Sequence, residues 1–412
     1  MTTKPKPIHT PMSQFQSNGD QLLVNGHPLN LIAYQAGQTP FYAYDRSVIQ
    51  QKIALLRETM PASLKLHYAM KANPMPQLVS FVGGLVDGLD VASGNELRVA
   101  LSSGKDGHQI SFAGPGKREK ELEMAVASQT TVNVESFNEL KKLRDISDKI
   151  GVRARVAIRV NPDFELKGSG MKMGGGAQQF GIDAERAPDM LKLINEYGLH
   201  YRGFHIFTGS QNLNHEAICV AHRGVFELAK RLQATAKNEM ESLNIGGGLG
   251  IPYFPGETPI SLEPIAESLA PLMEDFQKDH PNTEIAMELG RFIVGEAGIY
   301  VAKVIDIKES RGVKFAVIDG GLHQHLAASG NFGQVIRKNY PVAIGNKMSQ
   351  PIKEPIQVVG PLCTPLDLLA NKYDLPEVAI GDLVVIYQSG AYGMTASPRD
   401  FLSHPHPVEL LV

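Results

Sequence analysis

Short runs at residues 64–70, 86–91, 110–113, 131–134, 155–160, 201–207, 242–245 and 284–288 read as strands, and the first alternates apolar and polar positions. Alternation of period two predicts strands. Between most of these runs apolar residues recur every three or four positions, predicting helices over 95–102, 120–127, 136–150, 184–197, 215–234 and 262–279. Repeated strand-plus-helix units of this number, over roughly 250 residues, have the rhythm of a closed β/α barrel. An open doubly wound sheet alternates too, but usually with fewer strands. Ahead of the barrel pattern, residues 1–20 are polar and Pro-rich and predict a loose tail. Residues 21–24 and 29–34 predict short strands around Asn25-Gly26, and 39–45 a further strand. Asp45 or Ser47 then caps a helix running to about residue 59. Past Arg291 the rhythm changes: 301–308, 314–318, 356–360 and 383–388 are β-like, and long helical patterns are scarce. The expected organisation is α/β: residues 1–36 as a tail and strands joining the β domain, 37–291 as a (β/α)8 TIM-like barrel, and 292–412 as a second, mainly β domain.

Composition narrows the partners. The 412 residues carry 43% hydrophobic and 20% charged side chains, enough for a large core. A formal net charge of -3 gives no reason to expect nucleic acid or an anionic membrane surface. The two cysteines, Cys219 and Cys363, lie far apart, which fits a reducing compartment rather than a disulfide framework. No apolar h-region opens the chain and no apolar run reaches spanning length, so a cytoplasmic protein is expected.

Polar residues collect at the predicted strand ends, which in a barrel share the face that holds active sites. Lys71 closes the first strand. A partly desolvated amine there can condense with an aldehyde. Asp90 closes the second strand, His205 and Ser210 follow the sixth, and Gly246-Gly247-Gly248 the seventh. Glu288, Gly290 and Arg291 close the eighth. The glycine run lets backbone N–H groups surround an anion, and its place after strand seven matches where barrels bind phosphate. A phosphate site, an imine-forming lysine and a carboxylate for a ring nitrogen together describe pyridoxal 5'-phosphate. Cys363 lies in Gly360-Pro361-Leu362-Cys363-Thr364, and Tyr392 in a Gly-flanked loop. No His/Cys spacing suggests a metal. His323, His325, His404 and His406 are expected on the surface or in loops.

The assembled motifs resemble the fold-type III pyridoxal-phosphate decarboxylases, the diaminopimelate and ornithine decarboxylase superfamily. They are Tyr68-Ala69-Met70-Lys71-Ala72-Asn73, Asn161-Pro162, Gly209-Ser210-Gln211, Gly246-Gly247-Gly248, Gly290-Arg291, Gly360-Pro361-Leu362-Cys363 and Gly390-Ala391-Tyr392-Gly393. Stretches 167–176 and 326–333 are similar to the decarboxylases associated with exosortase A and exopolysaccharide clusters. The resemblance implies an alanine racemase/ornithine decarboxylase-like fold and a carboxy-lyase reaction. It implies that Lys71 holds the coenzyme, that Asp90, His205, Ser210, Gly247, Gly248, Glu288, Gly290, Arg291 and Tyr392 surround it, and that Cys363 returns a proton to the α-carbon. It implies substrate contacts from Arg291, Thr364 and Tyr392, and a head-to-tail homodimer with shared sites. Three departures bear on substrate. Thr364 stands where the family has an acid, an Arg-Pro-x-x-Tyr segment is missing near 326–333, and His-x-Gly-Ser is stretched to 205–210, with His205 as the stacking candidate. The expected substrate is an L-amino acid or an aminoacyl group, free or tethered to a carrier protein. A racemase on the same barrel and a non-catalytic coenzyme-binding regulator are the alternatives.

Overall fold

The computed structural model describes residues 7–164, 171, 172 and 174–412. Residues 167–170 and 173 of the stretch 167–176 lie outside the described residues. The chain forms two compact units, one of Lys52–Ile251 and Ile260–Gly290, the other of Met1–Gln51, Pro252–Pro259 and Arg291–Val412.

The first unit is a closed parallel barrel. Its strands are β1 (Lys65–Ala69), β2 (Gly88–Val91), β3 (Ile110–Phe112), β4 (Thr131–Val134), β5 (Arg155–Asn161), β6 (His200–Ile206), β7 (Ser242–Gly247) and β8 (Glu284–Leu289). Each pairs with the next, and β8 pairs with β1 through Ala286 opposite Lys65, which closes the cylinder. The β5 run from Val156 to Asn161 is buried throughout, as expected of a strand covered on both faces. The covering helices start where the sequence provides an oxygen for a free N–H. Ser93 accepts from Glu96 N, Ser136 from Glu139 N and Asn214 from Ala217 N, at 3.2, 3.1 and 3.2 Å. The helix Phe137–Ile150 buries Leu140, Leu143 and Ile146 and ends at Gly151, whose φ of 74° is left-handed.

The second unit is built on an eight-stranded sheet around the long strand Gly298–Ser310. That strand pairs with Phe41–Tyr44 and Leu383–Ile386 along its first half and with Val313–Ile318 along its second. Phe41–Tyr44 also pairs with Val408–Leu411. Phe41, Ala43, Ile299, Val301 and Val385 form its core with Phe15, Leu22 and Leu29.

Several expectations change here. Residues 37–51 and 252–259 group with the β unit, because Phe41–Tyr44 finds its hydrogen-bond partners in that sheet. Leu29–Ala36 is a helix, not a strand: Leu29 and Ile32 share one buried face, and Gly37 at φ 71° ends it. The region expected as a loose tail is anchored from residue 9 on. His9 Nε2 lies 2.9 Å from Asn339 O, Thr10 donates to Glu257 O, and Phe15 is buried. Asp45 is the cap of the helix Arg46–Thr59, accepting from Ser47 N and Val48 N. Among the described residues no helix is long and apolar enough to cross a membrane.

Candidate active site

Lys71 sits in the single turn Met70–Ala72 that follows β1. The turn is fastened from within: Tyr68 Oη donates to Asn73 O at 2.9 Å, and Met75 N donates to Asn73 Oδ1 at 3.1 Å. Gly290, just past β8, lies against it. A Cβ at Gly290 would come 2.8 Å from Ala69 O and 2.9 Å from Ala72 Cβ. Only glycine allows that approach, so the Gly290 position and the lysine turn are locked to each other.

Glu288 points into the barrel and is 6% exposed. Its Oε2 lies 3.0 Å from His205 Nε2 and accepts from Asn244 Nδ2 at 3.4 Å. Burial pushes this carboxyl up. The nearby charge and hydrogen bond of His205, with the charges of Lys71 and Arg159, outweigh burial and hold it well below the usual range. Glu288 is therefore a buried, ionised carboxylate at neutral pH. Asn244 is fixed in turn, its Oδ1 accepting from Gly246 N at 2.8 Å.

The loops after β6 and β7 are zipped together. Asn212 N donates to Gly248 O and Gly250 N to Asn212 O, both at 2.9 Å, while Gln211 Nε2 donates to Ile251 O at 2.7 Å. This sets Ser210 and the glycine run side by side. Cβ atoms at Gly247 and Gly248 would meet Glu288 O at 1.9 Å and Gly209 O at 2.6 Å, and Gly248 has φ +95°. The glycines are required by the close approach of backbones.

Asp90 has a different environment from the one its strand end suggested. Its Oδ1 accepts from Ser111 Oγ and lies 3.2 Å from His67 Nδ1, deep in the barrel, and its Oδ2 is buried without a hydrogen-bond partner among the described residues. Burial lowers the His67 imidazole, but the charge and hydrogen bond of Asp90 more than offset this and raise it.

Three residues were given no role by the sequence reading. Phe207 lies under Lys71, whose Nζ is 5.3 Å from its ring centroid. Asn244 grips Glu288. Arg159 donates to Glu135 Oε1 at 3.0 Å and lies over the Phe180 ring. The inward alternation of β5, β6 and β7 was the available signal: Arg159, Asn161, His205, Phe207 and Asn244 fall on alternate positions.

In the second unit, Arg291 is sandwiched between aromatic rings. Its guanidinium carbon is 4.6 Å from the Tyr392 ring centroid and 5.4 Å from that of Tyr253, and Nη1 donates to Tyr253 Oη at 2.8 Å. Its Nε is buried without a hydrogen-bond partner among the described residues. Cys363 is exposed, on a turn held by Asp367, and Thr364 follows it. The Asp367 carboxylate accepts from Leu322 N at 2.6 Å and Leu362 N at 2.9 Å. His323 and His325 lie in a loop, one of the two placements expected for them, and are fully buried in it. Ala328 N donates to His325 Nδ1, so Nε2 carries the proton and donates to Ser389 Oγ at 2.8 Å. Burial pushes His325 down to about 3. Among the described residues no group of three or more His, Cys, Asp and Glu side chains could hold a metal ion.

A parallel barrel with a lysine at one strand mouth and a buried carboxylate at the neighbouring one has the face where enzymes of this fold hold their active sites, and its amine is of the kind that can condense with an aldehyde. Comparison with known proteins makes this specific. The family model described as pyridoxal-dependent decarboxylase, pyridoxal binding domain, matches residues 46–295. The L-glutamyl-[BtrI acyl-carrier protein] decarboxylase of Niallia circulans is 34% identical, over 91% of this chain and 89% of its own. The diaminopimelate decarboxylase of Aquifex aeolicus is 34% identical, over 95% and 90%. The crystal structure of diaminopimelate decarboxylase from Helicobacter pylori complexed with L-lysine superposes with a TM-score of 0.82 at 30% identity, covering 93% of this chain and 94% of that one. The chain belongs to the pyridoxal-dependent decarboxylases. Its motifs had pointed to that family, and the match covers the barrel and continues through the β unit.

Proposed function

We propose that this decarboxylase binds pyridoxal 5'-phosphate at Lys71 and acts on an aminoacyl group tethered to a carrier protein. The observation that carries the coenzyme assignment is the buried, ionised Glu288, held by His205 and Asn244 within electrostatic reach of the Lys71 amine. The donor set fits the coenzyme: an amine for its aldehyde, a carboxylate for its ring nitrogen, and the glycine cradle of 246–248 beside Ser210 for its phosphate. Arg291, Tyr392 and Cys363 are assigned from the family's motifs. When bound, pyridoxal phosphate supplies an electron sink for the pair released as the α-carboxylate leaves as carbon dioxide.

The chain's own residues do the rest. Lys71 would hold the coenzyme through its amine. Glu288 would face the ring nitrogen, and its fixed negative charge would favour the protonated form of that nitrogen. The Cys363 thiol gives a proton to the α-carbon. Thr364 bears on the substrate. A free diamino acid brings a distal ammonium that is costly to desolvate without a partner, and Thr364 offers no charge. A distal acyl thioester needs none. The relative named as a glutamyl carrier-protein decarboxylase supports this direction. The same reading makes the active form a homodimer, which sedimentation would test.

The deciding experiment incubates the protein and coenzyme with free diaminopimelate, free glutamate and glutamyl-carrier protein, measuring carbon dioxide and product mass. Release from the carrier-bound group alone is expected. Turnover of free diaminopimelate at a comparable rate overturns the substrate assignment.

A further inference from the structure

We infer that Phe207, and not His205, covers the face of the coenzyme ring. The inference rests on the coenzyme reading above. His205 and Phe207 stand two positions apart at the end of β6, so both project into the barrel. They have different tasks there. His205 is 2% exposed, and its Nε2 lies 3.0 Å from Glu288 Oε2. Phe207 is 6% exposed and lies face-on beneath the Lys71 amine, 5.3 Å from centroid to Nζ.

The phenyl ring is held in that pose. A Cβ at Gly246 would stand 3.1 Å from Phe207 Cδ2 and 2.8 Å from Ile206 O, and Gly246 has φ +74°. The glycine leaves the space the ring occupies, and its left-handed backbone resists replacement. A group attached to Lys71 Nζ with its ring nitrogen at Glu288 therefore passes over a fixed aromatic face. That face attracts cations at any pH, because phenylalanine does not titrate. The three groups divide the work: Glu288 meets the ring nitrogen, Phe207 supports the face, and His205 positions Glu288.

The test titrates apoprotein with pyridoxal phosphate and reads the dissociation constant from the coenzyme's absorbance. Borohydride reduction and peptide mass locate the attachment. Phe207→Leu keeps apolar bulk and loses the ring; Phe207→Tyr keeps the ring. Leu is expected to weaken binding about 5- to 100-fold, the range for loss of one stacked aromatic. Tyr stays near the wild-type value, and every variant still labels Lys71. Melting of the apo-variants controls for folding. If Leu binds like wild type, or Tyr is as weak as Leu, or His205→Leu weakens binding while Phe207→Leu does not, the assignment of Phe207 is overturned. A wild-type protein that labels elsewhere than Lys71 overturns instead the coenzyme reading beneath it.

Discussion

Replacing Asp367 by alanine removes the clamp that shapes the Cys363 turn, and the consequence can be worked from its contacts. The carboxylate is 3% exposed and accepts from the backbone N–H groups of Leu322 and Leu362, themselves in buried residues. It also fills the space two glycines leave: a Cβ at Gly321 or Gly360 would lie 2.4 or 2.2 Å from its oxygens. Asp367→Ala leaves two buried donors unmade. Each costs about 1–3 kcal/mol, so about 2–6 kcal/mol is expected. For a unit of this size that lowers the melting temperature by roughly 5–20 °C. Asp367→Asn keeps one acceptor and should fall between. Thiol labelling supplies the functional readout, since Cys363 is exposed and Cys219 buried. The native protein should label quickly at one thiol, and Asp367→Ala should change that rate. A variant that melts within about 1 °C of wild type and labels identically refutes the clamp.

Three further outcomes are expected. His222 is fully buried, and burial pushes it down from its ordinary 6.5 to about 4. The unfolded chain therefore takes up a proton that the fold refuses, and stability is lost as pH falls from 6.5 towards 4, by about 2 kcal/mol at pH 5. Urea unfolding of His222→Leu at pH 7.5 and 5 should show that share of the slope gone. Gly247→Ala places a Cβ 1.9 Å from Glu288 O and should destabilise by about 1–3 kcal/mol or more, while Gly116→Ala, with open space around it, should melt as wild type. Cys363→Ala should still release carbon dioxide while slowing proton return; unchanged rate and product stereochemistry would remove Cys363 from that role.

How much of this was legible beforehand depends on whether the signal was local. The barrel strands announced themselves as short runs set between helical patterns, and Lys71 and Glu288 by standing at strand mouths. Phe207 did not, because an aromatic at the end of an apolar strand looks like core until its neighbour across the barrel is known. The burial of His323 and His325 within their loop was hidden for a related reason. Their loop is rich in small and polar residues, yet Tyr42, Tyr300 and Tyr340 enclose His325 from distant parts of the chain. Leu29–Ala36 was too short for its three-residue spacing to be told from alternation. That N-terminal strands join the β unit was expected, but the membership of residues 37–51 and 252–259 has no local signature, since the strand Phe41–Tyr44 pairs with residues hundreds of positions away.

That pairing bears on how the molecule is made. Phe41–Tyr44 is synthesised ahead of its two neighbours in the sheet, Gly298–Val301 and Val408–Leu411, and the barrel segments come between them. The barrel segments can assemble while the nascent strand waits unpaired. A chain cut short before Val408 leaves that edge open, and no cut in the gene yields either unit as one uninterrupted piece.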